Sequence, residues 1–345
     1  MAAPMACSGG GGTAGVELTE ARMDIDEDDH VNGVVAWEDG FVAVTSRGVV
    51  FRSRDGERWA TVETTGLGAG DDETVVRTDL AGVTAGDGYL LAAGTRSVRN
   101  GDGEDDAVFV PLVWRSDDGE HWQQVETEGL TARSLDTVVA HDGAFLAFGT
   151  EEIPRPPDLE PTDEQEESSQ LPATIPVSST WRSEDGAAWE QVGANLTPPG
   201  ENAYEDIAAV AARGDDRLAS LGIECSGCYD DYAFVLSKSD DAGDTWRELE
   251  EHGLDDIRLA NTDVIPRVVS FDGEFVAVGT SGADDTTATL WRSTDGVRWT
   301  DKTRLGGPEI PEYAESIDAI AATDTGVIVL ELMGDRLVVW HVELE

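Results

Sequence analysis

Five stretches of this 345-residue chain repeat one pattern: SRDGERW (Ser53 to Trp59), SDDGEHW (Ser116 to Trp122), SEDGAAW (Ser183 to Trp189), SDDAGDTW (Ser239 to Trp246) and STDGVRW (Ser293 to Trp299). Their leading serines lie 63, 67, 56 and 54 residues apart, so the chain is assembled from similar units with insertions of variable length. A unit of this size cannot bury its apolar face alone and must stack against its neighbours, which restricts the chain to a repeat architecture. Repetition also bears on chemistry. The stretches are acidic enough to suggest a catalytic loop, but a group that an enzyme uses once is not copied five times.

The unit is cleanest at its fifth occurrence. RVVSFDG (Arg267 to Gly273), EFVAVGT (Glu274 to Thr280), ATLWRSTDG (Ala288 to Gly296) and VRWTDKT (Val297 to Thr303) are short apolar and β-branched runs separated by Asp-Gly turn signals. That is the pattern of a four-stranded antiparallel meander. Its first run recurs as GVVAW (Gly33 to Trp37), AGVTA (Ala81 to Ala85), TVVAH (Thr137 to His141), IAAVAA (Ile207 to Ala212) and AIAAT (Ala319 to Thr323), so there are six units, five of them with the box. First and second runs are small and apolar, third and fourth bulkier, a gradient that suits blades crowded around an axis.

The sixth unit ends in RLVVWHVELE (Arg336 to Glu345), with Trp340 aligned to Trp291, and the chain stops before a fourth strand. GVELT (Gly15 to Thr19), ahead of the first unit, can supply it, and closing the ring this way leaves no open sheet edge. The expected fold is therefore all-β: a six-bladed β-propeller of four-stranded antiparallel blades, closed by an N-terminal strand completing the last blade. Residues 1–14 are expected to form a flexible tether and residues 15–345 a single propeller, with a disordered acidic, Pro-rich insertion at 151–177.

Each box falls in the hairpin between third and fourth strands, and its chemistry fits a turn. Asp and Ser side chains accept hydrogen bonds from backbone N–H groups just ahead, Gly supplies positive φ, and the closing Trp can pack between blades. The pattern S-x-D-x-G-x-x-W resembles the Asp-box, or BNR repeat, of sialidases, sortilin-type receptors, some glycanases and photosystem-assembly propellers. Ser239, Asp241, Gly243 and Trp246 match it without gaps. Ser53, Asp55, Gly56 and Trp59, then Ser116, Asp118, Gly119 and Trp122, then Ser183, Asp185, Gly186 and Trp189, and finally Ser293, Asp295, Gly296 and Trp299 form a version one residue shorter between Asp and Gly. The resemblance implies that these residues are structural, lie at the periphery, and include no catalytic aspartate.

A sialidase, by the same resemblance, would add an arginine-containing R-I-P motif, two further arginines gripping a carboxylate, a Tyr nucleophile with a Glu partner, and an Asp acid/base; bidentate guanidinium contacts suit a planar anion. The nearest string, EIPRPPD (Glu152 to Asp158), has Ile-Pro before Arg155 and does not match. Arg52, Arg115, Arg182 and Arg292 recur at one place in the third strand and read as outer-strand pairing and surface charge. His30, His121, His141, His252 and His341 show no ligand spacing, and no GxSxG element or phosphate loop occurs. A two-carboxylate glycanase needs only two suitably separated acids, and among 71 Asp and Glu none is singled out.

Those 71 acids face 23 Lys and Arg, a formal net charge of −48, with Lys238 and Lys302 the only lysines. Such a balance repels nucleic acid and anionic lipid. It also repels itself unless salt shortens the screening length, and it reads as adaptation to a salty environment. The N-terminal MAAPMACSGGGGTAG resembles the cleavage region of lipoprotein precursors, without the charged and apolar regions that precede it there. Cys7 is thus the candidate lipidation site, the only membrane link expected, and the expected location is extracytoplasmic, as a cell-surface lipoprotein or secreted protein. Cys225 and Cys228, in CSGC, lack the four ligands zinc needs; a local disulfide is expected if the chain is exported and a plain reduced pair otherwise.

Alternating strand direction places the loops between second and third strands, with the connections between units, on one face, and the boxes on the other. The non-repeated segments Arg96 to Val110, Glu151 to Val177 and Ile223 to Phe234 all fall on the first face, where binding residues concentrate. Tyr229, Asp230, Asp231 and Tyr232 mix aromatics with carboxylates and suit a sugar or cation; the plainer reading is a solvated loop pinned by the disulfide. No cofactor is expected, calcium being the one cation considered. The expected function is a monomeric, non-catalytic extracytoplasmic Asp-box propeller acting as a binding or assembly scaffold for a protein or glycan ligand on that face. The alternative is a glycoside hydrolase, sialidase-like or a glycanase, using loop-face carboxylates, and a third reading is an assembly factor for a membrane complex.

Overall fold

A computed structural model describes residues 15–26, 29–64, 75–99, 107–157, 173–194, 204–214, 217–225, 232–250, 252–254, 266–281, 287–305, 316–333 and 336–345. The leading strand is β1 (Val16–Glu20). Blade 1 follows as β2 (Val31–Trp37), β3 (Gly40–Thr45), β4 (Val50–Ser53) and β5 (Ala60–Thr61), and blade 2 as β6 (Val75–Ala85), β7 (Leu90–Arg99), β8 (Ala107–Ser116) and β9 (Gln123–Val125). Blade 3 is β10 (Ser134–His141), β11 (Ala144–Pro154), β12 (Thr174–Ser183) and β13 (Glu190–Ala194), and blade 4 is β14 (Tyr204–Ala212), β15 (Leu218–Cys225), β16 (Tyr232–Ser239) and β17 (Arg247–Glu248). Blade 5 is β18 (Arg267–Phe271), β19 (Glu274–Ser281), β20 (Thr287–Ser293) and β21 (Thr300–Arg304); the last blade has β22 (Ser316–Ala322), β23 (Gly326–Met333) and β24 (Arg336–Glu343). The chain is thus an all-β propeller of six four-stranded antiparallel blades.

Blade 6 is completed by β1, which pairs antiparallel with β24 from Val16↔Val342 to Glu20↔Val338. The closing strand starts one residue later than the sequence suggests, and its role is the expected one. Apolar clusters fill the spaces between consecutive blades. Val42, Val44 and Val50 of blade 1 pack with Leu90, Trp114 and Trp122 of blade 2, and Leu91 and Val113 of blade 2 pack with Trp181 and Trp189 of blade 3. Ala219 and Leu236 of blade 4 meet Trp291 and Trp299 of blade 5, and Ile328 and Val339 of blade 6 meet Phe51 and Trp59 of blade 1. Blades 1, 2, 3 and 5 therefore lend both strand-three and box aromatics to the blade before them, blade 4 its box Trp246 and blade 6 its Trp340, so stability comes from neighbours rather than from any blade alone.

The innermost strands carry a repeated irregularity. In five blades a β-bulge falls at one register position: between Val31 and Gly33, Leu80 and Gly82, Leu135 and Thr137, Ile207 and Ala209, and Ile317 and Ala319. A bulge bends its strand and re-aims one side chain, here Asn32, Ala81, Asp136 and Asp318 in blades 1, 2, 3 and 6. Crowding at the axis explains the small residues that follow. A Cβ on Gly33 would lie 3.1 Å from Val83 N, and one on Gly82 3.1 Å from Thr137 Oγ1.

Two inserted segments extend their blades. β7 and β8 stay paired out to Arg99↔Ala107. β11 and β12 stay paired through Glu151↔Val177 out to Pro154↔Thr174, so both flanks of the 151–177 insertion continue the sheet.

Candidate functional site

The boxes are closed units. In each, a buried serine Oγ accepts the glycine N–H, at 2.9 Å for Ser53, 2.8 Å for Ser116, and 2.9 Å for Ser183, Ser239 and Ser293. The aspartate Oδ1 accepts the next backbone N–H groups, as in Glu120 N and His121 N on Asp118 at 2.8 and 2.7 Å. Trp59, Trp122, Trp189 and Trp246 donate their indole N–H to the box glycine carbonyl at 2.6, 3.3, 2.9 and 3.1 Å. The box glycines all have positive φ, from +69° at Gly296 to +91° at Gly243. In the longer fourth box the extra residue, Ala242, adopts φ +57° as well, and Thr245 supplies both its N–H and its hydroxyl to Asp241, at 2.8 and 2.6 Å.

This wiring holds the aspartates ionised. Backbone donation from His121 holds Asp118 well below the usual carboxylate range, against some burial and with the His121 ring adding to the effect. Backbone donation from Ala188 likewise lowers Asp185. For Asp55, Asp241 and Asp295 burial pushes upward most strongly of the single causes, and the donors of Arg58 and Glu57, of Thr245, and of Arg298 and Val297 together outweigh it. A carboxylate so held is a poor proton donor near neutrality.

On the opposite face the first strands enter the channel, and there the structure gathers charged groups that sequence reasoning did not single out. The channel encloses about 360 Å³ and is lined by small and branched residues such as Val34, Val83, Thr137 and Val268; Arg267 is its one charged lining residue among those described. Asn32 bridges two blades by donating from Nδ2 to Leu80 O at 2.8 Å. Asp29 is buried at the start of blade 1 and accepts Ser46 Oγ at 2.8 Å, Thr45 Oγ1 at 2.7 Å and Arg47 N at 2.9 Å. Arg77 donates to Ser46 O at 3.1 Å and pairs with Asp79 at 2.9 Å. Burial raises Asp79, the Arg77 charge opposes this, and Asp29 reinforces it.

Where blades 5 and 6 meet, Arg267 Nε donates to Ile317 O at 3.4 Å and its charge faces Asp318, the bulged residue of β22. Beside them Glu331 is fully buried and accepts the indole N–H of Trp340. Burial pushes Glu331 up to about 7, Trp340 pulls it down, and the Asp318 charge raises it further. The sequence does hold a signal for this residue. Strand two carries glycine at the same place as Gly94, Gly149, Gly222 and Gly279, and the sixth copy reads Glu331.

The extended hairpin of blade 2 projects the other distinctive feature. Val108, Phe109 and Val110 are 44%, 47% and 37% exposed, three successive apolar residues and so on both sides of β8. Arg133 of blade 3 stands 5.9 Å from the Phe109 ring and pairs with Glu152.

Of the loop singled out in blade 4, Cys225 ends β15 opposite Tyr232 at the start of β16. Cys228, Tyr229, Asp230 and Asp231 lie outside the described residues, as does Cys7. No group of three His, Cys, Asp or Glu that could hold a metal occurs among the described residues. Nor is any described helix long and apolar enough to cross a membrane.

By sequence the chain matches no family model and no curated protein. By structure it is similar to an α-L-arabinanase of Penicillium chrysogenum bound to arabinobiose, at 16% identity and a TM-score of 0.54, over 94% of this chain and 95% of that one. It is also similar to an α-L-arabinofuranosidase of Fusarium graminearum bound to an iminosugar inhibitor, at 12% identity and 0.52, over 91% and 92%. A mutant Trypanosoma rangeli sialidase displaying trans-sialidase activity matches at 12% and 0.52, over 92% of this chain and 54% of that one. At these identities the shared property is the β-propeller fold, and function has to be argued from the site.

Proposed function

We propose that this chain is a non-catalytic propeller of the Asp-box type, displayed outside the membrane through Cys7 in a salt-adapted organism, whose non-repeated face binds a protein or glycan partner. The observation that carries the reading is the hairpin of β7 and β8. A chain with net charge −48 solvates itself with carboxylates, yet it projects Val108, Phe109 and Val110 into solvent from this face. Contiguous exposed apolar residues of this kind mark interaction surfaces. The box aspartates fit the same reading, because their oxygens are committed to their own turns.

One observation bears on the second reading, a glycoside hydrolase: Glu331, pushed up to about 7 beside Asp318, has the proton affinity of a general acid, but with no solvent exposure it can meet a substrate only if blade 6 opens. A single experiment separates the two. Wild-type protein, Phe109→Asp and Glu331→Gln are assayed at high salt against fluorogenic arabinosides and sialosides, and each is used to capture partners from surface extracts of the source cells. The scaffold reading expects no turnover and one stoichiometric partner lost in Phe109→Asp, with unchanged circular dichroism. Turnover that disappears in Glu331→Gln overturns it in favour of the hydrolase.

A further inference from the structure

Blade 6 departs from the other blades at one buried position. Opposite the residue that precedes each bulge stand Thr45 in blade 1 and Gly94, Gly149 and Gly222 in blades 2 to 4, but Glu331 in blade 6. In blades 2 and 3 no side chain fits there, since a Cβ on Gly94 or Gly149 would fall 1.9 or 2.1 Å from a main-chain oxygen of the neighbouring strand. Blade 6 instead encloses a whole carboxyl group with no solvent exposure.

Glu331 lies on the side of β23 that faces blade 5, in line with Val327 and Val329, which pack against Val276, Val278 and Leu290. Its Oε2 accepts the Trp340 indole N–H, while Oε1 has no hydrogen-bond partner among the described residues. Trp340 is on β24, directly opposite Leu18 of β1, and Val338 is paired with both Glu331 and Glu20. The carboxyl group is therefore wired, through one indole and one backbone row, to the strand that closes the ring. The charged group acting on it is Asp318 from β22, which is itself faced by Arg267 from β18. Among the described residues, β19 and β20 pack the apolar Val276, Val278, Ala288 and Leu290 into this interface, and β24 gives the Trp340 N–H.

We propose that Glu331 is a proton-gated clasp on ring closure: as the neutral acid it fits the buried interface of blades 5 and 6 and, through Trp340, holds β24 and β1 shut, and on losing its proton to solvent it places a charge beside Asp318 there, at a cost larger than the strengthened Trp340 bond returns, and loosens both strands. The direction follows from linkage. The folded group is raised to about 7 from 4.5, so its contribution is fully present below 4.5 and is lost as pH rises through about 7.

The test is hydrogen exchange of the amides of Val16–Glu20, corrected for intrinsic rates, from pH 4.5 to 8 at fixed high ionic strength. Wild-type protein should lose protection there by on the order of tenfold or more across this range. Glu331→Gln, which keeps an acceptor for Trp340, should show no such loss, and Asp318→Asn should shift the loss to lower pH. An identical pH profile in wild type and Glu331→Gln overturns the proposal, as does wild-type protection of β1 that does not change with pH. Should the glutamine variant fail to fold, Glu331→Gly, which restores the residue of blades 2 to 5, carries the same comparison.

Discussion

Arg52, on the third strand of blade 1, donates to the main-chain oxygen of Asp118 in the box of blade 2 at 3.1 Å, and from the same nitrogen to Glu120 at 3.0 Å. The strand-three arginine is thus a tie to the next blade, beyond the surface charge that its position suggests. Blade 5 repeats the device where the next blade has no box, since Arg292 reaches the chain terminus at Glu345 O, 3.1 Å away. Arg52→Ala should lower stability by about 1 kcal/mol, and Arg52→Lys should restore it only in part, because one ammonium cannot replace both the nitrogen that serves Asp118 and Glu120 and the second guanidinium nitrogen, which bonds Glu38 at 3.3 Å. Denaturant midpoints of the three proteins check this.

Ser116 is buried and satisfies the Gly119 N–H at 2.8 Å while its hydroxyl bonds Asp118. Ser116→Ala leaves that donor buried and unpaired, a cost of about 1–3 kcal/mol. Trp122→Ala, which empties the space between blades 1 and 2, should cost about 3–5 kcal/mol. The ratio of the two, read from chemical denaturation, tests whether the box mainly places its tryptophan.

Asp118 is held below its unfolded value of 3.8, so its stabilising contribution is present above that value and is lost as pH falls through the folded one. The stability difference between wild type and Asp118→Asn should grow as pH falls from 7 to 5, where His121, raised by Asp118, gains its proton, and then shrink towards zero below about 4. A difference that persists undiminished into strong acid contradicts the charge-assisted turn. Thermal unfolding at stepped pH reads it directly.

Ala242, the extra residue of the long box, has no business at φ +57° on steric grounds. Ala242→Gly should relieve roughly 0.5–1 kcal/mol after allowing for the greater freedom of glycine in the unfolded chain. This predicts a higher melting temperature from removing a methyl group.

A net charge of −48 makes the folded ring repel itself. Raising KCl from 0.1 M to 1 M shortens the screening length from about 10 Å to about 3 Å and should raise the melting temperature. An unchanged or lowered value counts against salt adaptation.

The fold was legible because its signals are local. Turn chemistry, strand alternation and the small inner runs are all contained in one unit, and six copies of that unit, one short of a strand with GVELT to spare, define a closed ring. The box roles were legible for the same reason, since every hydrogen bond within a box spans at most four residues. The channel-face groups were not. Asp29 meets Ser46 across 17 residues, Arg267 meets Ile317 across 50, and each looks like one more charge in an acidic chain.

By itself, then, the amino-acid sequence determined the repeat, the ring and its closing strand, because these depend on pattern and turn propensity within a unit. Only the tertiary structure decided that Arg52 belongs to the next blade, that Phe109 stands in solvent, and that Glu331 is an acid with an affinity for protons near neutrality. The physical reason is that contacts between blades, exposure and desolvation are properties of how the ring packs, and no single unit carries them.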